Sequence, residues 1–164
     1  MLRVQESNLD FNFNVKAYNY DGKTSIYEKN KFCGTTAVDF LAMDRKNIYF
    51  IEVKTAQYFN VELDRLSDKI CSIYRNFLDS VSLISLSNSM ETKEYKTRLK
   101  NSIPKFILIL SDKLPIDILM VYYEKIKKQL NKKLKRLNQD IEFLLETENN
   151  YNSKLYNIKR VQND

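Results

Sequence analysis

Hydrophobic and polar positions alternate from Asp10 to Tyr20, where Phe11, Phe13, Val15 and Ala17 are separated by Asn12, Asn14 and Lys16. A period of two predicts a β-strand with one buried face. Asp21-Gly22 closes it with a turn signal. The polar, basic stretch Lys23 to Gly34 reads as a loop or an irregular edge strand. Thr36 to Met43 is apolar and rich in β-formers apart from Asp39, and Ile48 to Lys54 is similar apart from Glu52 and Lys54. The short polar link Asp44 to Asn47 predicts that these two strands form a hairpin. With a symmetric loop, Met43 pairs with Ile48, Leu41 with Phe50, and Asp39 falls opposite Glu52.

The period changes after Val61. Leu63, Leu66, Ile70, Ile73, Phe77, Val81 and Ile84 recur at steps of three and four, the apolar stripe of an amphipathic helix. Ser87 to Ser102 is polar with mixed charge and reads as a surface connection. Phe106 to Leu110 is apolar throughout but too short for a helix, which predicts a buried strand. Pro115 suits the start of a helix, and Leu119, Tyr123, Ile126, Leu130, Leu134 and Leu137 form a second stripe. Ile141 to Leu145 reads as one more strand, followed by a polar, Asn-rich tail. The order β–β–β–α–β–α–β predicts an α/β fold with a central mixed β-sheet flanked by helices. No internal repeat or linker is visible, so residues 1–164 read as a single domain, with its core at about 10–145 and a tail over 146–164.

Composition removes many functions. Hydrophobic residues are 43% and charged residues 29%, ordinary values for a globular chain and against disorder. No apolar run approaches the ~18–20 residues that span a bilayer. The N-terminal stretch lacks the apolar segment of a signal peptide. The expectation is a cytoplasmic protein with no membrane partner. There is no His, which excludes Ser-His-Asp catalysis, a His base and His-ligated zinc. Cys33 and Cys71 are too few for a disulfide framework or a Cys-only zinc site and read as packing or surface thiols. Gly22 and Gly34 fit no phosphate-cradling loop. Chemistry is left to Asp, Glu, Lys, Tyr and Ser. The net charge of +6 favours a polyanionic partner, nucleic acid foremost.

One constellation stands out. Glu52 and Lys54 are two apart on one strand and project from the same face. Asp39, if directly opposite Glu52, places its Cβ ~4.5–5.5 Å away. Two carboxylates so close repel each other and are costly to bury. A divalent cation held by oxygen ligands, Mg²⁺ or Mn²⁺, offsets that cost. Lys54 offsets part of the charge and can hold or help deprotonate a water. A metal ion acidifies bound water and neutralises charge building on a phosphate. Two acids and a lysine are thus a minimal kit for metal-assisted phosphodiester hydrolysis without His. The string D/E-x-K occurs five times in the chain, but only Glu52/Lys54 sits in an apolar strand with a second strand-borne acid. The bland alternative is a structural salt bridge within the sheet.

Ala37-Val-Asp-Phe40 followed by Phe50-Ile-Glu-Val-Lys54 resembles the PD-(D/E)XK nuclease superfamily, to which restriction endonucleases and Holliday-junction resolvases belong. Its surroundings resemble an uncharacterised bacterial subgroup, in which an aromatic β segment, an Asp-containing turn (Tyr20-Asp21) and a Tyr-Phe basic stretch (Tyr27 to Phe32) precede the AVD strand. The resemblance covers Asp10 to Leu110, with its strongest motifs between Thr36 and Ala56. Val38 stands where many members carry Pro. The resemblance implies a restriction endonuclease-like core. It implies that Asp39 and Glu52 hold Mg²⁺ or Mn²⁺, that the Val53 carbonyl adds a ligand, and that Lys54 orients the attacking water. It also implies an accessory Lys on the following helix, Lys69. The expected function is a Mg²⁺-dependent endonuclease acting on nucleic acid, DNA foremost, alone or as a homodimer or with a partner protein. The competing expectation is a catalytically inactive nuclease fold that binds or inhibits.

Lys125 to Arg136 contains seven positive residues and no acid. Lys127, Lys128, Lys132 and Lys135 are candidates for phosphate contact. The alternative is an ordinary solvated helix face.

Overall fold

The computed structural model describes residues 2–22, 25, 27–28, 34–59, 65–111 and 116–161. The chain forms β1 (Arg3–Glu6), β2 (Leu9–Phe13), β3 (Lys16–Asn19), β4 (Phe40–Met43) and β5 (Ile48–Lys54). A 3₁₀ turn (Ala56–Phe59), α1 (Leu66–Leu86) and α2 (Lys93–Asn101) follow, then β6 (Lys105–Leu110), α3 (Ile116–Lys135), β7 (Glu142–Thr147) and β8 (Tyr156–Arg160). Five strands build a mixed sheet in the order β3-β4-β5-β6-β7, and three build a second sheet in the order β1-β2-β8. In the mixed sheet β3, β4 and β5 are antiparallel neighbours, while β5, β6 and β7 run parallel. The fold is α/β.

The mixed sheet has a core on each face. Even-numbered β5 and β6 residues Phe50, Phe106 and Leu108 meet Ile70, Ile73, Phe77, Ile126 and Leu130 of the helices. Odd-numbered Tyr49, Ile51, Val53, Ile107 and Ile109 meet Phe11, Phe13 and Tyr156 of the small sheet. Burial on both faces explains why β5 and β6 are almost continuously apolar. The hairpin has the predicted register, with Met43 opposite Ile48 and Leu41 opposite Phe50. Its turn is fixed by Asp44, which accepts the N–H groups of Lys46 and Asn47, both at 2.7 Å. Burial raises the Asp44 carboxyl, but the Lys46 N–H, the Tyr49 hydroxyl and Asn47 outweigh it and bring it down to about 2.

Several expectations are corrected. The strand expected over 10–20 bends at Asn14, whose N–H donates to the Leu155 carbonyl at 2.8 Å, so its halves enter different sheets. The strand expected from Thr36 begins at Phe40, because α1 takes the preceding N–H groups: Asp79 accepts from Thr36 and Ser80 from Val38. The connection expected over 87–102 contains α2, anchored by one buried side chain, Tyr95. The tail expected from Glu146 holds β8, whose Tyr156 and Ile158 are buried. β1 was unforeseen and joins β2 through Ser7 and Asn8, both at positive φ, the two-residue turn that suits a hairpin. Leu137 lies beyond α3 and is exposed. Leu63, Pro115, Cys33 and most of 23–34 lie outside the described residues, and Cys71 is exposed.

Candidate active site

β5 carries the two polar positions of an otherwise apolar strand on its helix-facing side. Glu52 is fully buried, and Lys54, at the C-terminal end, keeps 23% of its side chain exposed. The Lys54 ammonium lies 2.5 Å from Glu52 Oε1. Asn76, one turn before Ser80 on α1, donates to the same oxygen at 2.7 Å. The other oxygen, Glu52 Oε2, is buried without a hydrogen-bond partner, as is Asn76 Oδ1. A structural salt bridge that had closed on itself would leave no such acceptor, since a buried unpaired oxygen costs ~1–3 kcal/mol.

Asp39 sits one residue before β4. Its Oδ2 accepts the Val53 N–H at 2.6 Å, and its own carbonyl accepts the Tyr20 N–H at 2.8 Å. The register of β4 and β5, continued by one residue from Phe40 opposite Ile51, brings Asp39 level with Glu52 as expected. The two N–H bonds from Thr36 and Val38 to α1 hold this segment against the helix that also holds Glu52. N–H and C=O of one strand residue point to the same edge, so the Val53 carbonyl projects toward the side where Asp39 lies.

The electrostatics follow from burial. Loss of water raises the Asp39 carboxyl well above the usual carboxylate range, and the Glu52 charge raises it further, with Lys54 opposing. Burial likewise raises Glu52, against the pull of Lys54 and Asn76. Desolvation pulls Lys54 down, but the charges of Glu52 and Asp39 prevail and hold it above its ordinary value. Asp21 belongs to the same network. Burial and the Glu6 charge raise its carboxyl, while a hydrogen bond to Asp39 and the Lys54 charge partly offset them.

The predicted residues Asp39, Glu52, Val53 and Lys54 are therefore brought together. Lys69 reaches the same edge through Tyr58: its ammonium lies 4.4 Å from the Tyr58 ring centroid, and that of Lys54 lies 5.6 Å from it. Lys127, Lys128, Lys132 and Lys135 stand exposed on α3, which packs on β7 and α1, two strands away from β5. Asn76 was not foreseen, because an Asn within a helical stripe carries no signal of the strand it will face. Asp21 had a visible signal, the Asp-Gly turn, but its contact with Asp39 depends on the β3–β4 pairing.

Among the described residues no three Asp, Glu, Cys or His side chains converge closely enough to hold an ion by themselves. The candidate donors are instead two carboxylates and a carbonyl. Their chemistry fits a hard divalent cation, and the orphaned Glu52 Oε2 is the acceptor that such an ion satisfies. No described helix is long and apolar enough to cross a membrane. No protein-family model, curated protein or solved structure matches the chain.

Proposed function

We propose that the protein is a metal-dependent endonuclease of the PD-(D/E)XK type, cutting phosphodiester bonds of nucleic acid, DNA foremost, in the cytoplasm. The observation that carries this reading is the buried pair Asp39 and Glu52 with one carboxylate oxygen unpartnered beside a lysine ammonium. On this reading the strand order β3-β4-β5-β6-β7 is a restriction endonuclease-like core. Asp39, Glu52 and the Val53 carbonyl hold Mg²⁺ or Mn²⁺. The bound ion supplies an acidified water and a counter-charge for the phosphate. Lys54 orients that water and faces the phosphate, while Asn76 fixes the rotamer of Glu52 through its 2.7 Å bond. The exposed lysines of α3 offer further phosphate contacts along a longer substrate.

A second reading has its own support. The Lys54–Glu52 ion pair already supplies Glu52 with a counter-charge, as a catalytically inactive binding or inhibitory protein of the same fold requires. One experiment separates the two: incubation of purified protein with plasmid DNA and Mg²⁺ or Mn²⁺. Cleavage that disappears in Asp39→Ala and in Lys54→Ala is expected. Cleavage that survives both substitutions, or none in the parent protein with either metal, rules out the endonuclease reading.

A further inference from the structure

We propose that Lys54, Tyr58 and Lys69 form a phosphate seat beside the buried Asp39–Glu52 pair, taking the outer oxygens of one nucleic-acid phosphodiester. The inference rests on the endonuclease reading for its choice of anion; Lys54 pairs with the proposed metal ligand Glu52, while Tyr58 and Lys69 lie outside the proposed metal ligands.

Both ammonium groups rest on one ring, at 4.4 Å for Lys69 and 5.6 Å for Lys54, inside the range of cation–π attraction. Tyr58 is half-buried in the 3₁₀ turn that follows β5, and its ring packs edge-on against buried Phe59 at 5.1 Å. It is therefore a fixed support, a positioning residue for two like charges that otherwise repel. Lys54 has a carboxylate partner, but Lys69 has none among the described residues, where its ammonium meets only the Tyr58 ring.

The helix end does not favour Lys69. It is the fourth residue of α1, in the first turn, where the helix dipole is positive and a cation is unfavourable. The acid of that turn, Asp68, is exposed. The N-cap residue, Arg65, makes no side-chain capping bond. An ammonium with no carboxylate partner among the described residues, held at the positive end of a helix and sharing a ring with a second ammonium, gains from an anion. A phosphodiester carries one negative charge over two outer oxygens, one for each lysine. Its place beside Lys54 sets the phosphate next to Asp39 and Glu52.

The test measures binding of a short fluorescent DNA duplex in EDTA by anisotropy across a range of salt concentrations. Lys69→Gln is expected to weaken binding severalfold and to reduce the slope of log affinity against log salt by about 0.9, the value of one lost phosphate contact. Lys69→Arg should retain the slope, and Tyr58→Leu should weaken binding with both lysines still present. An unchanged slope in Lys69→Gln, or no measurable duplex affinity in the parent protein, overturns the seat. A parallel thermal-shift series with Mn²⁺ separates this inference from the reading beneath it. A reduced slope without stabilisation by Mn²⁺ keeps the seat and removes the hydrolase. Stabilisation by Mn²⁺ with an unchanged slope does the reverse.

Discussion

The Asp39 carboxylate accepts the Val53 N–H at 2.6 Å, so a side chain completes the sheet at the point where β4 has not yet begun. Asp39 therefore has a structural duty besides its charge, and two substitutions separate them. Asp39→Asn keeps an acceptor for Val53 and removes one of two mutually repelling acids; its unfolding free energy should stay within ~1 kcal/mol of the parent. Asp39→Ala strands a buried N–H and should lose ~1–3 kcal/mol. Both should abolish stabilisation by Mn²⁺. Denaturant titration of the two variants, with and without metal, checks this, and equal stability of both would show that the Val53 bond contributes nothing.

Stability should depend on pH in a way set by the buried acids. Asp39, Glu52, Asp21 and Glu146 are all raised, chiefly by burial. Between the ordinary carboxylate range and these raised values the folded protein binds more protons than the unfolded chain, so stability falls as pH rises through that window. Asp44 has the opposite sign: its contribution is complete above its ordinary value of 3.8 and is lost as pH falls through about 2. The metal-free protein should therefore melt highest in mildly acidic buffer and lower at neutral pH. Asp39→Asn should flatten that decline, and millimolar Mg²⁺ or Mn²⁺ should raise the neutral melting temperature. A melting temperature that climbs from mildly acidic to neutral pH without metal would contradict the assignment.

Ser80 is a hidden support of the site. It is fully buried, and its hydroxyl accepts the Val38 N–H at 2.9 Å, one residue before Asp39. Ser80→Ala leaves that N–H without a partner and should cost ~1–3 kcal/mol. Because the bond fixes the approach to Asp39, Mn²⁺ affinity should fall as well, by about tenfold, in the range seen for outer-shell partners of metal ligands. Calorimetric titration of the folded variant with Mn²⁺ tests the second effect apart from the first. Parent-like affinity would make Ser80 a fold residue only.

The second core depends on Tyr156. Its buried ring lies 5.9 Å from Phe11 and 5.6 Å from Phe13, edge-on to both, and its hydroxyl donates to Glu146. Tyr156→Ala should cost ~3–5 kcal/mol, as aromatic truncations in cores do. Urea unfolding monitored by circular dichroism measures it. A loss below ~1 kcal/mol would mean that the three-stranded sheet contributes little to global stability.

The legible parts of this fold are those whose periodicity is dense. Five apolar positions among its seven made β5 readable, and the symmetric four-residue link from Asp44 to Asn47 sets the register that brings Asp39 level with Glu52. α1 and α3 were readable because their stripes run for many turns. β8 was not: Tyr156 and Ile158 are two buried positions among Asn157, Lys159 and Arg160, a pattern shared with exposed tails. α2 was hidden for the same reason, since Tyr95 is its one buried side chain. Within the site, the acids and Lys54 announced themselves by standing where apolar residues belong. Asn76, Ser80 and Tyr58 did not, because their roles arise only where a helix or turn crosses the sheet.

Pairing Leu9 with Arg160 and Phe13 with Tyr156 ties opposite ends of the described chain into one ladder. A ribosome delivers Phe11, Phe13 and Phe40 long before it delivers their cover. Contacts of such long sequence separation form late and slow the final step of folding. Until β8 is made, that aromatic surface has no cover, and transiently exposed apolar surface of this kind is prone to aggregation.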